Sequence, residues 1–135
     1  MTTPNSTSEY MLLFRGPAWD RGLSREELQQ RMDRVMAWFE SLKAQGTVKG
    51  GQPLGPENKI ISGKNGRLVA DGPFAESKEA VGGFLQIEAD SLDDVVAIAR
   101  SCPTLDYGIT VEVRPVLDEC PCFKRVREQL SLATA

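Results

Sequence analysis

Five consecutive apolar residues, Tyr10-Met11-Leu12-Leu13-Phe14, constrain this chain more than any other feature. A strand with one wet face alternates apolar and polar side chains, because successive side chains point to opposite faces. A strand apolar at every position buries both faces and lies inside a sheet. The stretch Glu9 to Gly16 is therefore read as a central strand, closed by Gly16-Pro17. A chain of 135 residues is long enough for one domain with a sizeable core. It offers only two substantial helical patterns to cover that sheet. Two helices cover one face, so the second face needs a cover from elsewhere.

The first helix opens with Ser24-Arg25-Glu26-Glu27, a capping box in which the serine hydroxyl serves the Glu27 N–H and the glutamate reaches back. Leu28, Met32, Val35, Met36, Phe39 and Leu42 follow as one apolar stripe, with Trp38 at its border and Gly46 as a left-handed stop. Thr47 to Leu54 is a glycine-rich second strand. Lys59-Ile60-Ile61-Ser62 and Arg67-Leu68-Val69-Ala70 flank Gly63-Lys64-Asn65-Gly66, and the Asn-Gly step marks a hairpin. Gly83 to Ala89 is the next strand, with Phe84, Gln86 and Glu88 on one face and Leu85, Ile87 and Ala89 on the other. Gly82-Gly83 at its mouth marks a bulge or a close approach by backbone or ligand. Ser91 caps a second helix with core face Leu92, Val95, Val96, Ile98 and Ala99, and Pro103 stops it near Cys102. Gly108 to Pro115 alternates as an edge strand does, and Lys124 to Leu130 forms a short basic helical segment in a C-terminal extension, 118–135. The polar residues 1–8 are read as a flexible tail.

Strand, helix, strand, ribbon, strand, helix, strand is a split βαβ repeated, a ferredoxin-like α+β sandwich with an inserted β-hairpin. In that plan the first and third core strands are central, which agrees with Tyr10–Phe14.

Composition limits function. Lys+Arg 16 against Asp+Glu 19 gives a net charge of −3, which argues against a nucleic-acid or anionic-membrane binder. No apolar run approaches the roughly 20 residues that span a bilayer. Met1 to Ser8 resembles neither a secretory signal nor a transit peptide, so a cytoplasmic location is expected. There is no histidine, which removes Ser-His-Asp and Cys-His nucleophile arrangements and histidine-ligated metals. Three cysteines, among them Cys120-Pro121-Cys122, are read as reduced thiols rather than as a metal site. No cofactor is expected.

The densest chemistry lies in Asp71-Gly72-Pro73-Phe74-Ala75-Glu76-Ser77-Lys78-Glu79-Ala80-Val81-Gly82-Gly83-Phe84. Pro73 fixes its own φ and pushes Gly72 to extended backbone, and Asp71 can accept turn N–H groups or act as a general acid or base if desolvated. With Tyr10-Met11-Leu12-Leu13, Arg100-Ser101-Cys102-Pro103 and Val111-Glu112-Val113-Arg114-Pro115, this stretch resembles the DGPF branch of the YCII-related proteins over residues 9–117. The resemblance implies a dimeric α+β barrel, a homodimer joined sheet to sheet, and a functional link to alternative sigma-factor systems. Similar proteins carry a histidine-aspartate pair. Here the histidine is missing and Asp71 is the surviving candidate. Two readings stand: a small-metabolite binder with Arg15, Asp71, Gly72, Pro73, Phe74, Gly83 and Tyr107 at its pocket, or a cofactor-free isomerase or lyase with Asp71 as base.

Overall fold

The computed structural model describes residues 8–72 and 80–133. Four strands form an antiparallel sheet: β1 (Ser8–Arg15), β2 (Val48–Pro53), β5 (Val81–Ala89) and β6 (Thr110–Pro115), in spatial order β2-β5-β1-β6. The two strands expected to be central are central. Strands β3 (Lys59–Ser62) and β4 (Leu68–Asp71) pair only with each other, as a ribbon between β2 and β5. The helices α1 (Arg25–Ala44) and α2 (Leu92–Arg100) complete a ferredoxin-like α+β core, and α3 (Pro121–Ala133) follows it.

Local signals act as the sequence requires. Ser24 Oγ accepts from the Glu27 N–H at 3.1 Å, while Glu27 Oε1 accepts from the Ser24 N–H at 3.0 Å. Gly46 takes φ +72° after α1, the left-handed conformation that lets the chain leave the helix at little steric cost. In the ribbon turn Asn65 and Gly66 both have positive φ, 63° and 66°. Ser91 Oγ caps α2 by accepting from the Asp94 N–H. Opposite Phe14 and Arg15 the register of β5 runs Gly83 then Val81, so Gly82 is the extra residue of the expected bulge.

Both helices pack on one sheet face. Tyr10, Leu12, Leu85 and Ile87 meet Trp38 and Leu42 from α1 and Val95 and Ala99 from α2, with Leu12, Ile87 and Val95 fully enclosed. The core stripe of α1 is Val35, Trp38 and Leu42, rotated from the expected one. Trp38 is a core residue whose indole N–H donates to Ser101 Oγ at 2.8 Å, while Met32 and Met36 face solvent. On α2, likewise, Leu92 and Val96 are exposed and Val95 and Ala99 carry the contact. Cys102 is buried just past α2. The C-terminal helix is longer than the expected Lys124 to Leu130, and its residues from 121 to 132 are all exposed.

Candidate functional site

The sheet face turned away from α1 and α2 is covered by no helix of the described residues. Its centre is apolar: Met11 and Leu13 of β1 stand opposite Gln86 and Phe84 of β5. Its rim is charged. On the β6 side, Leu13 pairs with Glu112 and Met11 with Arg114. Arg15, one strand step beyond Leu13 on the same face, donates to Glu112 Oε1, and Arg114 donates to Glu112 Oε2 at 3.2 Å. On the opposite rim, Lys49 and Glu88 form an ion pair at 3.4 Å. The two guanidinium groups hold the Glu112 carboxyl below the usual glutamate range, the hydrogen bond from Arg15 being the larger cause and that from Arg114 the next. Arg15 and Glu112 keep side-chain exposures of 27% and 35%, so the pair is partly desolvated and remains reachable.

At the Arg15 end the face runs into an open cleft of about 570 Å³ at the base of the ribbon. One wall is Leu54 to Ile60, the other Ala80 to Gly82. Arg15 pairs with Val81 in this second wall, which places the charged cluster at the cleft's edge.

The expected site residues fall in different places around this end of the sheet. Arg15 joins the open face. Gly72 lies at the ribbon base, where an added Cβ would stand 1.5 Å from Asn58 Oδ1, so a larger residue there would push the exposed Asn58 side chain aside. Asp71 sits on β4 with 82% of its side chain exposed, ion-paired to Lys59 Nζ at 2.5 Å. Among the described residues its charged partner is thus a solvent-facing lysine on the neighbouring strand of the ribbon. Gly83 is buried on the helix-covered face opposite Phe14, packed against the backbone of Gln52 and Pro53. Tyr107 is near the same end of the sheet, yet its ring turns to α1. Arg31 lies over it at 4.1 Å, Trp19 is tilted against it at 5.7 Å, and Arg34 donates to its hydroxyl at 3.0 Å. Pro73 and Phe74, with Glu76, Ser77, Lys78 and Glu79, lie outside the described residues.

Glu112 and Arg114 were read from the sequence only as the polar side of an edge strand. A stronger signal was present. In the ferredoxin-like order the last strand lies beside the first, so polar positions of β6 face the end of β1, where Arg15 stands. Among the described residues no group of three or more His, Cys, Asp or Glu is placed to hold a metal ion, and no helix is long and apolar enough to cross a membrane.

Two solved structures resemble the chain at low identity. The 5-chloro-2-hydroxyhydroquinone dehydrochlorinase TftG from Burkholderia phenoliruptrix AC1100, in complex with 2,5-dihydroxybenzoquinone, is 22% identical with a TM-score of 0.43, over 82% of this chain and 95% of that one. The hydroxynitrile lyase from Passiflora edulis is 12% identical with a TM-score of 0.36, over 87% of this chain and 100% of that one. At these values neither likeness bears on what this chain binds or does. No curated protein matches the chain by sequence. The model of the YCII-related domain matches residues 9–119, from the second residue of β1 to just beyond β6, and the chain belongs to the YCII-related family.

Proposed function

We propose that the chain is a homodimeric small-molecule-binding protein. Its subunits meet through the open sheet face, and its ligand sits at the Arg15 end of that face, in the cleft beside the Asp71-Gly72 corner. The observation that carries this reading is the juxtaposition of Met11, Leu13 and Phe84 with the Arg15–Glu112–Arg114 cluster. Apolar burial contributes roughly 25 cal/mol per Å², and a second sheet laid over these side chains removes them from water. A stable dimer buries on the order of 1,600 Å² in total, within reach of a four-stranded face.

Closing the face changes the chemistry of the cluster. Once water is excluded, charge-assisted hydrogen bonds strengthen. Glu112 orients Arg15, whose other N–H groups are then available to a carboxylate or to a phenolate or enolate oxygen. The ligand class is therefore a small polar metabolite with an anionic oxygen and a body compact enough for the cleft. The role is regulatory or accessory, in a cytoplasmic setting, and the family resemblance of the Asp71–Phe84 stretch favours one linked to an alternative sigma-factor system.

Sedimentation at micromolar concentration should give twice the chain mass, and a well-folded monomer at high concentration would overturn the dimer. Ligand-observed NMR with a library of small carboxylates and phenols tests the site. A compound bound by the wild type should lose at least about tenfold in affinity, roughly 1.4 kcal/mol, in Arg15→Ala. Equal binding by both proteins would place the ligand elsewhere.

A further inference from the structure

At the middle of the open sheet face stands a carboxamide. Gln86 is the central one of the three open-face positions of β5, between Phe84 and Glu88, and β5 is one of the two inner strands. Its neighbours across the strands are Met11 of β1 and Gly50 of β2. Gly50 leaves room for it: an added Cβ there would stand 2.7 Å from Gln86 Oε1. The rim charges around it are paired within the chain, Arg15 and Arg114 with Glu112, and Lys49 with Glu88. Gln86 itself is half-buried. Among the described residues its amide makes no hydrogen bond, and its polar atoms still reach solvent.

We infer that the Gln86 amides of two subunits hydrogen-bond to each other across the two-fold axis of the dimer and set the register in which the open faces meet. The inference rests on the sheet-to-sheet dimer proposed above and names the contact at its centre. A face that closes on a second copy of itself does so about a two-fold axis lying in the plane of contact. Such an axis through the middle of the face brings the two copies of Gln86 within about one strand spacing of each other sideways, roughly 5 Å, whatever its direction. Packed sheets stand about 10 Å apart, a gap that two glutamine side chains reaching from opposite sides span.

The chemistry suits that place. An amide carries both donors and an acceptor, so two amides related by a two-fold exchange a pair of hydrogen bonds. A carboxylate or an ammonium there would meet its own charge. Left unpaired, the amide would oppose closure of the face, because burying a polar group without a partner is costly. Met11, Leu13 and Phe84 supply apolar area but no direction, and sheets that meet through them alone can slide. One directional contact at the centre removes that freedom, as a single buried polar residue does in coiled coils.

The test measures self-association of the full chain by sedimentation in Gln86→Glu, in Gln86→Lys and in their equimolar mixture. At neutral pH each variant alone should lose at least about tenfold in dimer affinity, since like charges are brought together. The mixture should recover most of that loss as a heterodimer. Gln86→Glu alone should re-associate in mildly acid solution, as its carboxyl is protonated. Circular dichroism should stay that of the wild type, because the side chain points away from the helices. Single variants that dimerise as the wild type does would overturn the inference, as would a mixture that associates no more tightly than its parts. Either result would leave the dimer itself standing, whereas a wild type that stays monomeric would overturn both.

Discussion

The two faces of the one sheet are built from the same strands and solve different problems. On the covered face, Leu12, Ile87 and Val95 are wholly enclosed, and Trp38 settles its one polar atom on Ser101. On the open face, Met11, Leu13 and Phe84 stop at half burial, and the charges around them are paired with each other. The first face is complete within a single chain. The second has an apolar centre and a charged rim, and no helix of the described residues covers it. Enclosure is concentrated on one side of β1 and the proposed recognition on the other, so substitutions at alternate positions of a single strand should have effects of different kind.

The largest expected effect comes from the covered face. Ile87→Ala should destabilise the fold by about 2–5 kcal/mol, since a fully enclosed side chain leaves a cavity that close-packed neighbours only partly fill. Urea unfolding measures it, and a loss under about 1 kcal/mol would mean that the covered face is not the stability centre. The next effect belongs to a residue of the same strand on the opposite face. Phe84→Asp should turn a sedimenting dimer into a folded monomer with its helical circular dichroism retained. A carboxylate buried without a partner opposes association by several kcal/mol, yet it is solvated in the separated subunit. If Phe84→Asp unfolds the chain as thoroughly as Ile87→Ala does, the contrast between the faces fails.

The smallest effect concerns pH. The Glu112 carboxyl is held below its unfolded value by Arg15 first and Arg114 second, so it contributes stability above the unfolded glutamate pKa of about 4.3. That contribution should fade as pH falls from there through the depressed folded value. Stability curves of the wild type and Glu112→Gln should therefore differ above about pH 4.3 and converge in more acid solution. Curves that diverge on acidification would contradict the ion-pair reading.

Most of the fold was legible because its signals are local. The Ser24–Glu27 capping box, the Ser91 cap, Gly46 and the Asn65-Gly66 turn each act within a few residues and need no tertiary context. The central position of β1 was legible because five apolar residues in succession leave no alternative face to solvate. The rotation of α1 was not legible. Six apolar positions from Leu28 to Leu42 span a broad stripe, and packing on the sheet buries Val35, Trp38 and Leu42 while leaving Met32 and Met36 in water. The same holds for the charged cluster. Arg15 was singled out alone, because its bond to Glu112 joins residues 97 apart in sequence and exists only through the β1–β6 register. For Asp71, sequence proximity to many polar groups suggested chemistry, whereas the ribbon holds it in solvent beside Lys59.

The bulge at Gly82 has a consequence for how the chain is counted. From Gly83 to Ala89, odd-numbered residues point to the helices and even-numbered ones to the open face. Gly82 interrupts that parity, so Val81, though odd, pairs with Arg15 and shares its side. Were β5 unbulged with the same sequence, Gly82 would stand opposite Arg15 and Val81 would return to the helix side. One extra residue thus decides which face Val81 takes at the mouth of β5.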